Sequence, residues 1–409
     1  MKLLHTSDWH LGCHLYGKKR IDEHEHFLNW LHGVIEEQSI DILCIAGDIF
    51  DTTTPSNRAQ SLYFRFLRKI LFTSCSHVII IGGNHDSPTL LEAPGELLRS
   101  LDIHVIGSKT ELPEKEVLLL KNENETPLAI VCAVPYLRDR DVRQSRPGEE
   151  SVEKEHLLLE GIRNHFREVI NHAGSVQKKL EQPVPVIVMG HLFMAGGKTF
   201  DGDGTRDLYV GGLGRICCDI FPEIVNYAAL GHLHTPQVAG QNPLFRYCGS
   251  PLQMSFKEAE NQKQVLLVEF DHKVKEITPL IVPCFRELVS LQGDIEEIKA
   301  SLTRLLETGS NARVEILYTG NNAAADLSHL FNETIQSSDM EILRTVNTTA
   351  VKNILLPAAP RETLEELSEN DVFRRCLDTN QIEGNDRNEL IRRFNEVLTD
   401  LGEADKNAE

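Results

Sequence analysis

Eight side chains in this 409-residue sequence have types and spacing suited to chemistry: Asp8, His10, Asp48, Asn84, His85, His191, His232 and His234. They occur in five blocks: Asp8-Trp9-His10, Gly47-Asp48, Gly83-Asn84-His85-Asp86, Gly190-His191 and Gly231-His232-Leu233-His234. Asp8, His10, Asp48, Asn84, His191, His232 and His234 form a metal-ligand set of oxygen and imidazole without thiolate. That set suits Mn, Fe, Zn or Ni, whereas Ca prefers oxygen alone. It exceeds the four ligands one zinc takes and fits two ions about 3.5–4 Å apart with a shared carboxylate, Asp48 being the natural bridge. Such a pair generates hydroxide at neutral pH and clamps a phosphate during in-line attack. His85 could protonate a departing oxygen or stabilise its charge. Asp86 is expected to orient that imidazole or cap the following helix near Ser87-Pro88.

The elements that must position these residues are strands. Lys2–Thr6, Asp41–Ala46, Val78–Ile81, Val184–Met189 and Tyr227–Leu230 are apolar runs, and each leads into one block. Continuous apolar runs suit strands buried on both faces. Glu25–Glu37 and Asn57–Leu71 carry apolar stripes at helical spacing. Strands alternating with helices predict an α/β fold with its site past the carboxyl ends of the strands. The i, i+2 pairs at 8/10 and 232/234 would each face one cavity in extended chain. His5 reads as an inward strand residue, and His14, His24, His26, His32 and His77 as residues without a partner motif.

Composition narrows the function. Hydrophobic residues make up 41% and charged residues 25%, ordinary for a globular chain of two or three domains. No apolar run spans a bilayer and no signal peptide is visible, so a cytoplasmic location is expected. The nine cysteines are scattered and read as reduced thiols. The net charge is −19; residues 1–270 carry 27 basic and 35 acidic side chains, and residues 271–409 carry 15 and 26. An acidic chain repels phosphate backbones, so a nucleic-acid role needs a local basic patch, a metal or a partner.

The blocks resemble the calcineurin-like metallophosphoesterase signature. His5-Thr6-Ser7-Asp8-Trp9-His10-Leu11-Gly12, Ala46-Gly47-Asp48-Ile49-Phe50-Asp51, Tyr247-Cys248-Gly249-Ser250-Pro251 and Arg361–Ser368 resemble more narrowly the SbcD family of nuclease subunits. The resemblance covers most of the chain and is weakest between about 290 and 350. It implies a two-sheet sandwich flanked by helices, with a small α+β capping domain and a C-terminal helical tail. It implies one metal on Asp8, His10, Asp48 and His234 and a second on Asp48, Asn84, His191 and His232, with Mn2+ the usual activator and His85 the catalytic histidine. Some relatives carry a second histidine where this chain has Asp51. The implied activity is 3′→5′ exonuclease on double-stranded DNA and endonuclease on single strands and hairpins, in DNA repair, recombination and replication. The implied partner is an SbcC-type ATPase with a coiled coil, in a heterotetramer containing a homodimer of this chain. A small-molecule phosphodiesterase or phosphatase on the same site is the alternative.

The expected domains are 1–275 (nuclease), 276–351 (a β-α-β-α-β cap), 352–362 (linker, with Pro357 and Pro360) and 363–409 (helices). In the last, Leu390, Phe394, Val397, Leu398 and Leu401 form a stripe expected to dock on the partner. Candidate DNA contacts are Lys18, Lys19, Arg20 and Lys198, with Arg138, Arg140, Arg143 and Arg146 as a second basic cluster. The run Gly190–Thr199 falls short of a phosphate-binding loop because Leu192 occupies a required glycine position. Any ATP dependence must therefore come from another polypeptide. Asp201-Gly202-Asp203-Gly204 lacks the glycine and glutamate of a calcium loop.

Overall fold

The structure, a computed structural model, describes residues 1–143, 151–194, 216–320, 324–349, 369–379 and 387–397. The chain divides into two compact units, Met1–Leu288 and Val289 onwards.

The first unit begins with β1 (Lys2–Thr6), the hairpin β2 (His14–Leu15) and β3 (Lys18–Lys19), and α1 (Ile21–Gln38). It continues through β4 (Ile42–Ala46), α2 (Asn57–Ile70), β5 (His77–Ile81), α3 (Pro88–Glu92), α4 (Gly95–Arg99) and β6 (Ile103–Ile106). Next come β7 (Val117–Lys121), β8 (Pro127–Ala133), α5 (Asp139–Val142), α6 (Ser151–Gln177), β9 (Val186–His191) and β10 (Val225–Gly231). Short β11 (Gln237–Val238) and β12 (Phe245–Tyr247) precede the antiparallel pair β13 (Gln264–Asp271) and β14 (Lys273–Ile281). The expected boundary at 275 falls inside β14.

These strands form two six-stranded sheets, ordered β14-β13-β1-β4-β5-β6 and β11-β12-β10-β9-β8-β7. β1, β4, β5 and β6 run parallel, as do β8, β9, β10 and β12. Alternation along each apolar run explains its continuity. Ile42, Cys44 and Ala46 of β4 join Ile187, Met189, Tyr227 and Ala229 of the other sheet in a shared core. Leu43 and Ile45 instead pack with α1 and α2. The second sheet's outer face is covered by α6 through Leu158, Ile162, Phe166 and Val169. The α2 stripe of Leu62, Phe66 and Ile70 is buried, and the Ser56 hydroxyl caps that helix by accepting from Ala59 N–H at 3.3 Å. His5 faces Tyr227 between the sheets, its Nδ1 2.9 Å from the phenol oxygen, and burial lowers its pKa to about 3.

The second unit takes β15 (Leu288–Gly293), α7 (Ile295–Glu307), β16 (Arg313–Tyr318), α8 (Ala324–Ile335) and β17 (Glu341–Asn347), with sheet order β15-β16-β17. A reciprocal box between Asp294 and Glu297 starts α7. Ile298, Leu302, Leu327 and Phe331 pack on Val314 and Ile316. Beyond lie α9 (Glu369–Thr379) and helical residues 387–397, with Phe373 and Phe394 stacked at 4.0 Å. Of the expected docking stripe, Leu390 and Val397 are exposed and Phe394 is engaged with Phe373. Leu398, Leu401, the 352–362 linker and the Asp201–Gly204 segment lie outside the described residues. Among the described residues no helix is long and apolar enough to cross a membrane, and each described cysteine is an unpaired thiol.

Candidate metal centre

The five blocks meet at one rim of the sandwich. Asp8 and His10 follow β1, Asp48 follows β4, Asn84 and His85 follow β5, His191 ends β9, and His232 and His234 follow β10. Their convergence is not the extended alternation expected for the i, i+2 pairs. Asp8, His10 and Asp48 have φ of 52°, 46° and 51°, and His232 has 100°. Side chains rarely adopt such backbone, which persists where the surrounding structure enforces it. The pair 232/234 is also divided: His234 lies against His10, and His232 against Asn84.

Two ligand groups result. Asp8, His10 and His234 place their donor atoms within 4.8 Å of one another, with the two Nε2 atoms 3.1 Å apart. Asp8, Asp48 and His191 form the second group. There His191 Nε2 lies 3.3 Å from Asp48 Oδ2 and 3.0 Å from Asn84 Oδ1, and His232 Nδ1 lies 3.1 Å from the same amide oxygen. Asp48 Oδ2 is also 3.6 Å from His10 Nε2, so this carboxylate faces both groups.

The donor chemistry fits divalent ions. His191 Nδ1–H donates to the Ala46 carbonyl at 2.9 Å, so whenever the ring is neutral its bare Nε2 lone pair faces carboxylate and amide oxygens. Acceptors aimed at acceptors repel one another unless a cation stands between them. The electrostatics make the same demand. Burial pushes the Asp8 carboxyl up. Burial would also raise Asp48, but the His191 and His10 imidazoles hold it well below the usual carboxylate range. Burial, then His191, lowers His232 to about 3. Against the pull of burial, Asp48 raises His191 to about 9. A divalent ion would supply the missing positive charge without protonating a ligand.

Supporting residues fix this arrangement. A Cβ at Gly83 would stand 2.2 Å from Asp48 Oδ1, and one at Gly231 would stand 1.8 Å from the Ala46 carbonyl oxygen. Hydrogen alone fits at these two approaches. Ser7 Oγ donates to Asp8 Oδ2 at 2.5 Å, and His232 N–H donates to Asp8 Oδ1 at 2.9 Å. Asp86 differs from expectation. Its buried carboxylate accepts from Ile49, Phe50 and Gly83 N–H at 2.9–3.1 Å, joining the loop of Asp48 to the loop of Asn84. The helix cap is Ser87, and the His85 ring is oriented by Asp51. His85 Nδ1–H donates to the Asp51 carbonyl at 2.8 Å, while Asp51 Oδ1 lies 3.4 Å from His10 Nδ1. Sequence reasoning treated Asp51 only as the replacement of a histidine; its place three residues after Asp48 on the same loop was the available signal.

The basic candidates separate. Lys18 and Lys19 are exposed on β3. Arg20 is corrected: it is 1% exposed, its guanidinium is spent on Glu23 at 2.5 Å and on the Gln253 carbonyl, and it presents nothing to DNA. Arg143 pairs with Asp139 across α5, and Arg138 Nη2 donates to the Asp86 carbonyl at 3.4 Å. Lys198 and Arg146 lie outside the described residues.

Residues 1–236 match the calcineurin-like phosphoesterase family, and residues 284–381 match a family described as the type 5 capsule protein repressor C-terminal domain. The fold and the first match define the class: a metal-dependent phosphodiesterase, for which divalent ions are implied. The SbcD subunit of the SbcCD nuclease of Escherichia coli K12 is 33% identical over 404 residues, 98% of each chain. Its counterpart in Rhodobacter capsulatus is 32% identical over 75% of this chain and 76% of its own, and that of Bacillus subtilis is 32% identical over 66% of each. The chain belongs to the SbcD family of calcineurin-like phosphoesterases.

Proposed function

We propose that the chain is the DNA-cleaving subunit of a two-component nuclease, hydrolysing phosphodiesters with two divalent ions, Mn2+ foremost. Asp8, His10, Asp48 and His234 would hold one ion, and Asp48, Asn84, His191 and His232 the other. The single observation that carries the reading is Asp48 Oδ2 lying within 3.3–3.6 Å of imidazole nitrogens from both groups. When bound, the ions supply activation of water and neutralisation of phosphate charge. The chain's own contribution is geometric and acid–base. His85 Nδ1–H is committed to the Asp51 carbonyl, so it is the imidazolium form, carrying its second proton on Nε2, that would pass that proton to the departing oxygen and return to the neutral ring. Left-handed backbone at Asp8, His10, Asp48 and His232 would fix where these candidate ligands point.

The relatives' names supply a partner class and a substrate class. This chain would act as exonuclease on duplex ends and endonuclease on single strands and hairpins, in DNA repair and recombination. It would do so as a homodimer within a heterotetramer completed by a coiled-coil ATPase of the SbcC type. Lys18 and Lys19 are the candidate backbone contacts that counter the acidic net charge.

The test is His85→Gln, assayed on end-labelled duplex with Mn2+. Metal and DNA binding are expected to persist while cleavage is lost; retained cleavage refutes the proton-donor role. Turnover of bis-p-nitrophenyl phosphate without any on linear DNA would favour the small-molecule phosphodiesterase instead.

A further inference from the structure

β5 is used at both ends. Its carboxyl end delivers Asn84 and His85, and its amino end begins with His77, which sequence reasoning set aside as lacking a partner motif. His77 is 7% exposed. Its Nε2–H donates to the carbonyl of Lys121, on β7 of the other sheet, at 2.7 Å. That bond fixes the tautomer of the neutral ring and leaves Nδ1 as an acceptor. Nδ1 is buried and has no hydrogen-bond partner.

The groups around this lone pair are ligand types. β5 and β6 pair in parallel with Ile79 opposite His104, so His77 and His104, on neighbouring strands, project to the same face of the sheet. Their rings lie 6.2 Å apart with planes inclined by 32°. Asp102 just precedes β6 in a left-handed conformation with φ of 57°, and its Oδ1 stands 3.9 Å from His77 Nδ1. Donor atoms of all three residues lie within 4.8 Å of one another. Two atoms each about 2.1 Å from a shared zinc stand at most roughly 4.2 Å apart. The 3.9 Å pair already satisfies this limit. His104 is half-buried and the Asp102 side chain is 66% exposed, so both can adjust by rotation.

We propose that His77 Nδ1, His104 and Asp102 form a mononuclear site for a borderline divalent transition metal such as Zn2+, at the end of β5 opposite the phosphoesterase centre. Two imidazoles with one carboxylate suit zinc, nickel or copper better than Mg2+ or Ca2+. The open side toward solvent leaves a fourth position for water. The ion would tie β5 to β6, and through the Nε2–H bond to Lys121 it would tie one sheet to the other. Because it binds the folded state, it would raise stability with free zinc concentration.

The full-length chain, stripped with a chelator, would be titrated with Zn2+ by calorimetry beside the Asp102→Asn/His104→Gln double variant. The phosphoesterase centre is unaltered in both, so its zinc uptake cancels. The unaltered chain is expected to bind one more zinc per chain, with a larger zinc-dependent rise in melting temperature. Equal stoichiometry overturns the proposal and leaves an ordinary histidine–aspartate contact. Should the double variant fail to fold, the unaltered chain decides: crystals grown with zinc are expected to show an anomalous peak about 2.1 Å from His77 Nδ1, and a map with no peak there overturns the site.

Discussion

The rim of the sandwich and the C-terminal helices use their side chains in opposite ways. At the rim, Asp8, His10, Asp48, His191, His232 and His234 are all buried, and four of them, Asp8, His10, Asp48 and His232, sit on left-handed backbone. In the helices, Leu390 and Val397 are exposed, and Phe394 stacks on Phe373. On the proposed function the rim would carry chemistry complete in itself, whereas the helices would offer their exposed apolar side chains to another surface. Loss of a rim residue should be felt in cleavage by the isolated chain; loss of a helix residue should be felt only in the assembled complex.

The largest expected effect follows from Asp48→Ala, which removes the oxygen facing both ligand groups. Cleavage should fall to background and calorimetry should record at least one fewer divalent ion per chain; full metal occupancy would break the bridging assignment. His85→Gln comes next. General acid catalysis is worth about 10²–10⁴-fold, so kcat should drop in that range with metal affinity unchanged. Asp86→Ala tests the support beneath the ligands. Three buried amides lose their acceptor, and removing such outer support typically weakens metal binding by about 10–100-fold. An unchanged metal titration would show that the two loops hold themselves. Smallest is Leu390→Glu paired with Val397→Glu. Stability of the isolated chain should stay within about 0.5 kcal/mol, and nuclease activity alone should be unaltered, while stimulation by an ATPase partner is lost. Stimulation at the original level would assign that face to some other use.

Much of the centre was legible in the sequence because each ligand is written next to the strand that delivers it. Val78–Ile81 followed by Gly83-Asn84-His85 states both the element and its cargo in one stretch. The division into two sheets was not legible from the residues themselves, since β7 and β8 end in no ligand and their pairing is set by long-range register. The left-handed turns at Asp8 and His10 were hidden for a related reason: aspartate and histidine do not announce positive φ as glycine does. Asp51 and Asp86 acquire their roles only when loops distant in sequence meet. The Arg20 reading failed because three consecutive basic residues look alike on paper, while the start of α1 turns the third inward to Glu23.

The contact between Gly231 and the Ala46 carbonyl joins the end of β10 in one sheet to the end of β4 in the other. The spacing of the two ligand groups therefore depends on how the layers are docked as well as on loop conformation. Sliding one layer by a fraction of an ångström would detune the ligand cage before any strand melted, making divalent affinity a sensitive gauge of layer docking under pressure, heat or denaturant.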